Sequence, residues 1–598
     1  MKYLIVMPRL VGNVGEGYAF PLGIAYVSAS MKKAGFDVET INLNHVDEEI
    51  KEIIPKLIKD KNIDVVLTGG QSFLYSVINE IILCVKNFNS NIKTIVSGGI
   101  ITADPQVAMK ALKNVDYGII GEGEETIVDL CNCIEKKKDL NNVFGIIYKM
   151  NNDEYIITNK RNEIEDIDSL PWPDYEGFDF QYYIDKIAPS YITGNKKNSL
   201  FMLTSRSCPF KCTFCFHTTG QKYRQRSLDA VFEELEYLIK KYNIKFIFFV
   251  DEMFGVDDDR LAEFCTRMKK YDIPWWSQFR VNDVDKYKIK LLKEARCEVM
   301  SFGLESADNR VLKSMRKGIT IEQIERALEL VYDEGMAIEG CFIFGDIAET
   351  YETAINTIDW WKRNKKYKIN LGPISVYPGT YLYKYALERN IIKNPVEFLI
   401  KNCPQVNVSN MDREEFNNIM NIIMTELKEI KLKIIKPEIL DFNNKAGEVS
   451  IIGKCELCLS ENRWEKIKMF TITSLLCNNC GQRYDMPIPE EMKKIFSKNI
   501  KKLIVKHNKI AIWGINDKIF DLISNIDEEN LFLVDISNIK QGIKIGEMII
   551  NNPSIIKKLN IEVVIIGVPF LYSSIKTQIK SEFSSVNTII EIVELLNE

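Results

Sequence analysis

Three cysteines share one short stretch, Cys208-Pro-Phe-Lys-Cys212-Thr-Phe-Cys215. Thiolates this close on a single loop can hold three irons of a 4Fe–4S cubane, which normally takes four protein thiolates. The absent fourth leaves one iron open to a chelating substrate or cofactor, whereas a structural site fills every position. A zinc knuckle, or chance clustering, is the plainer reading of three cysteines alone. A second group does the opposite. Cys455-Glu-Leu-Cys458 and Cys477-Asn-Asn-Cys480 follow a C-x2-C-x18-C-x2-C pattern. Two knuckles then deliver four thiolates to one tetrahedral ion, the pattern of a structural zinc ribbon, with a rubredoxin-like iron as the alternative. Cys84, Cys131, Cys133, Cys265, Cys297, Cys341 and Cys403 show no ligand spacing and read as core or surface thiols.

These residues need elements to position them. Residues 1–150 alternate apolar runs (3–7, 38–43, 64–68, 94–97, 117–120) with helical patterns. One helix covers 22–34 and stops at Gly35. Nearly unbroken apolar strands between helices predict a parallel sheet covered on both faces, a doubly wound α/β domain. Ligands of such sheets lie beyond the carboxyl ends of the strands. Those ends carry Thr68, Gly69 and Ser72; Ser97, Gly98 and Gly99; and Gly121, Glu122, Gly123 and Glu124. Plain turn chemistry explains the same glycines as well as a ligand does.

A polar connector, 151–195, precedes a second series at 196–400, with strands expected at 200–204, 245–250, 275–280, 298–303, 338–345 and 369–375. Helices are expected at 228–242 and 321–333 between them. Six β/α units predict a partial or full parallel barrel whose site faces the strands' carboxyl ends. A charged helical segment is expected over 401–449, the ribbon over 450–490 and a Rossmann-like α/β unit over 500–598. That last unit has Gly514 and, some 20 residues on, Asp535, but lacks the rest of a dinucleotide fingerprint, so NAD binding is not expected.

Composition bounds the class. The 598 residues are 46% hydrophobic and 27% charged, with 78 Lys+Arg against 83 Asp+Glu and a net charge of -5. The chain has room for roughly three to five globular domains. No global positive field exists to hold nucleic acid, so no nucleic-acid partner is expected. No apolar stretch is long enough for a membrane span or a signal peptide, which predicts a cytoplasmic protein with no membrane partner, whose 14 cysteines serve metals rather than disulfides.

The Cys208–Cys215 loop, with Phe214 before its last cysteine, resembles the signature of the radical S-adenosylmethionine (SAM) superfamily. In that family the open iron chelates SAM, and cluster reduction releases a 5′-deoxyadenosyl radical. The resemblance implies SAM contacts from Phe214, Asp251 and Glu252 after the second barrel strand, Arg280 after the third, Ser301, Glu305 and Ser306 along the fourth, and Gly345 after the fifth. The segments PLGIAYVSASMKKAGF, SGGIITADP and IIGEGEET, with the connector IDSLPWPDYEGFD, look like the cobalamin-binding radical SAM subgroup. Together the resemblances cover about residues 1–400. They imply that the strand-end residues from Thr68 to Glu124 contact cobalamin. The loop at 8–13 has no Asp-x-His-x-x-Gly motif, and the chain has only His45, His217 and His507, so cobalamin is expected without a histidine lower ligand. His45 reads as a surface residue and His217 as a hydrogen-bonded loop histidine.

The implied activity is methylation of an unactivated carbon, or phosphorus, in a small-molecule substrate. It would proceed through methylcobalamin and the adenosyl radical, with an external electron donor such as flavodoxin or ferredoxin. A radical cyclisation or rearrangement on the same cofactors is the alternative. Methylthiolation fits less well, because the front cysteines are poorly spaced for a second cluster. A cobalamin sensor or a zinc-ribbon binding protein is the non-enzymatic reading.

Overall fold

The computed structural model describes residues 1–10, 18–151, 154–186, 198–430, 434–443, 448–456, 458–470, 474–479, 483–485, 488–523, 526, 528–537 and 540–596. The first sheet contains β1 (Lys2–Met7), β2 (Asp37–Asn42), β3 (Val65–Gly69), β4 (Lys93–Ser97), β5 (Tyr117–Ile119), β6 (Ile146–Asn151) and β7 (Glu154–Ile157). Its order is β2-β1-β3-β4-β5-β6-β7, with the first five strands parallel. Chain order therefore reverses between β1 and β3, the position at which a doubly wound sheet opens a crevice. β6 and β7 add antiparallel at the far edge, so the sheet runs seven residues past 150 to Ile157. Val65, Val66 and Leu67 are almost completely buried, as expected of a strand covered on both faces.

The second sheet holds β8 (Ser199–Met202), then, beyond a short hairpin of β9 (Ser205–Arg206) and β10 (Arg224–Gln225), β11 (Phe246–Phe249), β12 (Trp275–Phe279), β13 (Cys297–Glu305), β14 (Ala337–Phe344) and β15 (Asn370–Pro373). Its six strands are parallel and lie side by side in chain order, with β8 and β15 as free edges. Sequential order without closure is the topology of a partial barrel. Helices Leu228–Tyr242 and Ile321–Asp333 stand where the apolar periodicity puts them. Ser227 and Thr320 cap them by accepting the amides of Ala230 and Gln323. Phe249, Phe254, Phe264 and Trp275 pack with ring centres 5.0–5.8 Å apart and brace β11 and β12 from behind.

The expected helical segment 401–449 is helical only in part. A helix covers Arg413–Ile430, but β16 (Ile435–Asn443) then pairs antiparallel with β17 (Glu448–Lys454), which pairs with β18 (Glu461–Lys468). Pro437 cannot sit in a helix interior, and burial alternates along β16 with the two-residue period of a strand. A small ladder, β19 (Ser474–Leu476) with β20 (Arg483–Asp485), follows. The last sheet is built from β21 (Ile510–Trp513), β22 (Leu531–Val534), β23 (Lys544–Ile545), β24 (Met548–Asn551), β25 (Val563–Ile566) and β26 (Thr588–Glu591). Its order is β23-β24-β22-β21-β25-β26, parallel except at β23. No helix among the described residues is long and apolar enough to cross a membrane.

Candidate active site

The three-cysteine loop is the arm between β9 and β10, beyond the carboxyl end of β8. It is tied down on both sides. The Thr213 amide donates to Met315 O at 3.0 Å, and the Leu382 amide donates to Thr213 O at 3.1 Å. Burial raises the Cys208 and Cys212 thiols. Cys215 is exposed at the end of the loop, where Glu252 and the two neighbouring thiols disfavour its thiolate. A bound cation would supply the charge that favours their thiolates. All three thiols lie on this one arm, and three thiolates from one loop are the donor set a cubane with one open iron takes.

The surroundings distinguish the other expected contacts. The Arg280 guanidinium lies 3.5 Å over the Phe210 ring inside the loop and donates to Lys317 O at 2.5 Å and Asn282 Oδ1 at 3.2 Å. Lys317 is buried, pairs with Glu305 Oε1 at 2.8 Å and sits 6.0 Å from the centre of the Phe214 ring. Glu305 holds this pose at φ +67, a strained value for a side-chain-bearing residue. Gly303 leaves the room: a Cβ there would lie 2.5 Å from both Glu305 Oε1 and Lys317 Nζ. Glu252 Oε2 meets His217 Nδ1 at 2.6 Å, which raises the imidazole's pKa. Ser301 is half-buried on β13. Gly345, at φ +116, donates its amide to Glu349.

Two expected SAM contacts are used internally. Asp251 is buried and accepts from the Thr204 amide (2.7 Å), the Thr204 hydroxyl (2.5 Å) and the Ser205 hydroxyl (2.6 Å), which locks the turn before the cluster loop. Ser306 bridges Thr357 and the Asp308 amide.

Five buried polar atoms around this mouth have no partner among the described residues: Thr213 Oγ1, His217 Nε2, Asp346 Oδ2, Glu349 Oε1 and Tyr383 Oη. Burial raises Glu349 to about 8.

The loops of the first sheet face this mouth. Phe73, just after β3, and Tyr377, just after β15, have ring centres 6.2 Å apart. A Cβ on Gly379 would lie 3.1 Å from Ala103 Cα of the first domain. The carboxyl edges of the two sheets thus oppose one another. On the first edge, Gly121 (φ +80) has nothing within 4 Å of its Cβ position, as a close backbone approach to a ligand requires. Gly69 and Gly98 serve the loops themselves: a Cβ on Gly69 would lie 2.5 Å from Ser97 O, and one on Gly98 2.9 Å from Gly70 O. Thr68 donates its hydroxyl to Val6 O at 2.9 Å, and Ser72 is buried. Ser97 is half-buried at the end of β4, Gly99 opens the helix Gly99–Ala103, and Gly123 packs against Val27. Glu122 and Glu124 turn their carboxylates to Arg206 of the barrel at 2.7 and 2.6 Å.

Most of the loop at 8–13 lies outside the described residues; Pro8–Leu10 are tied to the end of β2 through Asn44 and Leu43. His45 is half-buried rather than exposed. Its Nε2 lies 2.7 Å from the Tyr18 hydroxyl, its ring packs on Tyr182 at 4.6 Å, and burial lowers it to about 4.

Residues 202–360 match the Radical SAM superfamily and residues 8–131 match the B12 binding domain. Over 412 residues, 66% of this chain and 84% of the relative, the sequence is 32% identical to the uncharacterized methyltransferase PH0819 of Pyrococcus horikoshii. The chain belongs to the cobalamin-binding radical SAM family. The enzyme is also 28% identical over 378 residues to the anaerobic magnesium-protoporphyrin IX monomethyl ester cyclase of Rubrivivax gelatinosus, covering 60% of this chain and 66% of that one. Its fold is similar to that of the radical S-adenosylmethionine methyltransferase TsrM from Kitasatospora setae, with a TM-score of 0.55 at 18% identity over 65% of this chain and 76% of the other. The sensor and binding-protein readings are therefore set aside. In this radical SAM enzyme, sequence reasoning missed Lys317, Phe210 and the pair Arg206 and Arg224. Arg206 stands two residues before Cys208, the one signal that could have pointed to it.

The second thiolate group contrasts with the first. Cys455, Cys458 and Cys477 bring their sulfurs within 4.8 Å of one another; Cys480 lies outside the described residues. The Tyr484 hydroxyl is 2.6 Å from Cys455 Sγ, Ser460 Oγ is 3.0 Å from Cys458 Sγ, and Asn462 Nδ2 is 3.4 Å from Cys477 Sγ. Hydrogen bonds of this kind stabilise thiolates on a metal. In the last sheet, Asp535 accepts from the Ile515 amide at 3.0 Å and from Lys540 at 3.1 Å, so its carboxylate is engaged within its own loop.

Proposed function

We propose that the enzyme methylates an unactivated carbon or phosphorus centre of a small molecule. The observation that carries this reading is the opposition of the two carboxyl edges, with an open three-thiolate loop on one and the uncrowded Gly121 on the other. Bound there, a 4Fe–4S cluster with SAM supplies a hydrogen-abstracting radical, and a corrinoid supplies a transferable methyl group. The chain's own part is placement and exclusion of water. Cys208, Cys212 and Cys215 hold three irons and leave one open. Phe210 and Phe214 shield the loop. Arg280, Lys317 and Glu305 fix charge beside it, with Glu252, Ser301 and Gly345 lining the same mouth for SAM. The backbone at Gly98–Gly99 and Gly121–Gly123 offers the corrin its approach, with no histidine ligand. A ferredoxin or flavodoxin class donor delivers the electron.

Residues 1–157 form the cobalamin domain and 196–400 the radical SAM core. The four-cysteine group holds zinc as a staple for the segment that leads into a Rossmann-like unit at 500–598. Kinship with a protein named as a methyltransferase over 84% of its length supports methyl transfer. Kinship with the cyclase favours the second reading, ring formation on the same cofactors. Incubation of the loaded enzyme with methyl-labelled SAM and an extract's small molecules separates the two. Methyl transfer yields a labelled product that depends on both cofactors; SAM cleavage and substrate loss without label establish the second reading.

A further inference from the structure

The Gly121–Glu124 segment was expected to touch the corrin, yet its two carboxylates point into the barrel. Arg206 spreads the two ends of its guanidinium across them: Nη1 to Glu122 Oε1 at 2.7 Å and Nη2 to Glu124 Oε1 at 2.6 Å. Arg224 Nη1 takes the other oxygen of Glu122 at 2.7 Å. All four side chains are at most 6% exposed. A third carboxylate, the partly buried Glu163, stands 3.8 Å from Arg224 Nη2, and backbone groups complete the network. Glu122 Oε2 also accepts the Ile164 amide at 2.7 Å, and Arg224 also donates to Ile164 O at 2.6 Å and Thr219 O at 2.7 Å. The Arg206 guanidinium stands 5.0 Å over the ring of Tyr26, which belongs to the first domain.

Placement gives this network its meaning. Arg206 and Arg224 are register partners in the β9–β10 hairpin, so they mark the two ends of the arm that carries Cys208, Cys212 and Cys215. Both ends of that arm are therefore gripped by one carboxylate, Glu122. That carboxylate lies between Gly121, whose Cβ position is open, and Gly123. One four-residue turn thus faces the corrin crevice with its backbone and holds the cluster arm with its side chains.

An apolar interface tolerates a slide of an ångström. A forked guanidinium shared by two carboxylates does not, because a shift in either direction leaves a buried charge unpaired. We propose that Glu122 and Glu124, through Arg206 and Arg224, are positioning residues that set the separation of the cluster from the corrin. This rests on the two-cofactor reading but not on methyl transfer.

The test is the electron–electron dipolar coupling between cob(II)alamin and the reduced cluster in the full-length holoenzyme, compared for wild type, Glu124→Gln, Arg206→Lys and Glu122→Gln. The expected result is one narrow distance distribution in wild type. It should be broadened or displaced in each variant that still binds one corrinoid and a full cluster. A distribution unchanged in those variants overturns the proposal. For any variant that loses a cofactor, hydrogen exchange on the unloaded full chain decides. The clamp predicts faster exchange over 207–223 together with 121–127, and unchanged exchange in β3, β4, β11 and β12. Exchange that rises throughout both domains, or nowhere, overturns it.

Discussion

The two thiolate sites of this chain solve opposite problems. At Cys455, Cys458 and Cys477 three sulfurs converge within 4.8 Å, and each has a hydroxyl or amide beside it. In the barrel loop the three thiols share one arm, with Arg280, Lys317, Glu305 and Glu252 as the charged groups beside them. A site that finishes its own hydrogen bonding is built to stay closed.

The largest expected effect breaks that contrast directly. Replacing Cys208, Cys212 and Cys215 together with alanine should lower 5′-deoxyadenosine release from SAM by at least ~100-fold, below detection, with little change in melting temperature, because the arm lies beyond the sheet. Cys455→Ser should do the reverse. The metal content falls by one ion, the C-terminal third melts in a transition of its own below the main one, and release per folded molecule persists. Chromatography of the nucleoside and calorimetry on the same samples check both.

Next in size is Glu122→Gln. It removes the buried negative charge shared by two arginines, leaving Arg206 on Glu124 alone and Arg224 with the more distant Glu163 at 3.8 Å, and weakening a buried network in this way costs about 3 kcal/mol. Denaturant unfolding measures that loss.

A smaller effect concerns a buried carboxyl. Glu349 is raised from 4.5 to about 8 because it is buried, opposed only in part by the Gly345 amide. The folded chain therefore keeps a proton that the unfolded chain releases above 4.5. Stability falls as pH rises from 4.5 to about 8 and then levels off. Glu349→Gln should flatten that slope in melting temperatures taken across the window. An unaltered slope would show that Glu349 is already paired.

The smallest is Tyr484→Phe. It removes one hydrogen bond to Cys455, a loss of about 1 kcal/mol. The ribbon metal should then pass to a competing chelator at about fivefold lower chelator concentration.

Local signals were legible in the sequence. Apolar runs located the five parallel strands of the first sheet and the six of the second to within a residue or two, but not the antiparallel β6 and β7 that extend the first sheet. Helix 22–34 ended where Gly35 required. What stayed hidden was pairing across distance. Glu122 looks like a ligand-facing acid until Arg206 and Arg224, more than 80 positions away, are brought to it. Asp251 follows a strand like a cofactor contact, yet three hydrogen bonds turn it inward. His45 seemed exposed because nothing near it in sequence announces Tyr182. The strand at Ile435–Asn443 was masked by its charged residues, though Pro437 spoke against a helix.

The account's central claim is that three thiolates leave one iron free to chelate SAM. Its most direct test is the reduced cluster's magnetic resonance with SAM carrying a nitrogen-15 amino group. A hyperfine coupling from that nitrogen, lost when Cys208, Cys212 and Cys215 are replaced, is the predicted result. A cluster signal indifferent to SAM, or no iron–sulfide cluster in oxygen-free preparations, would contradict it.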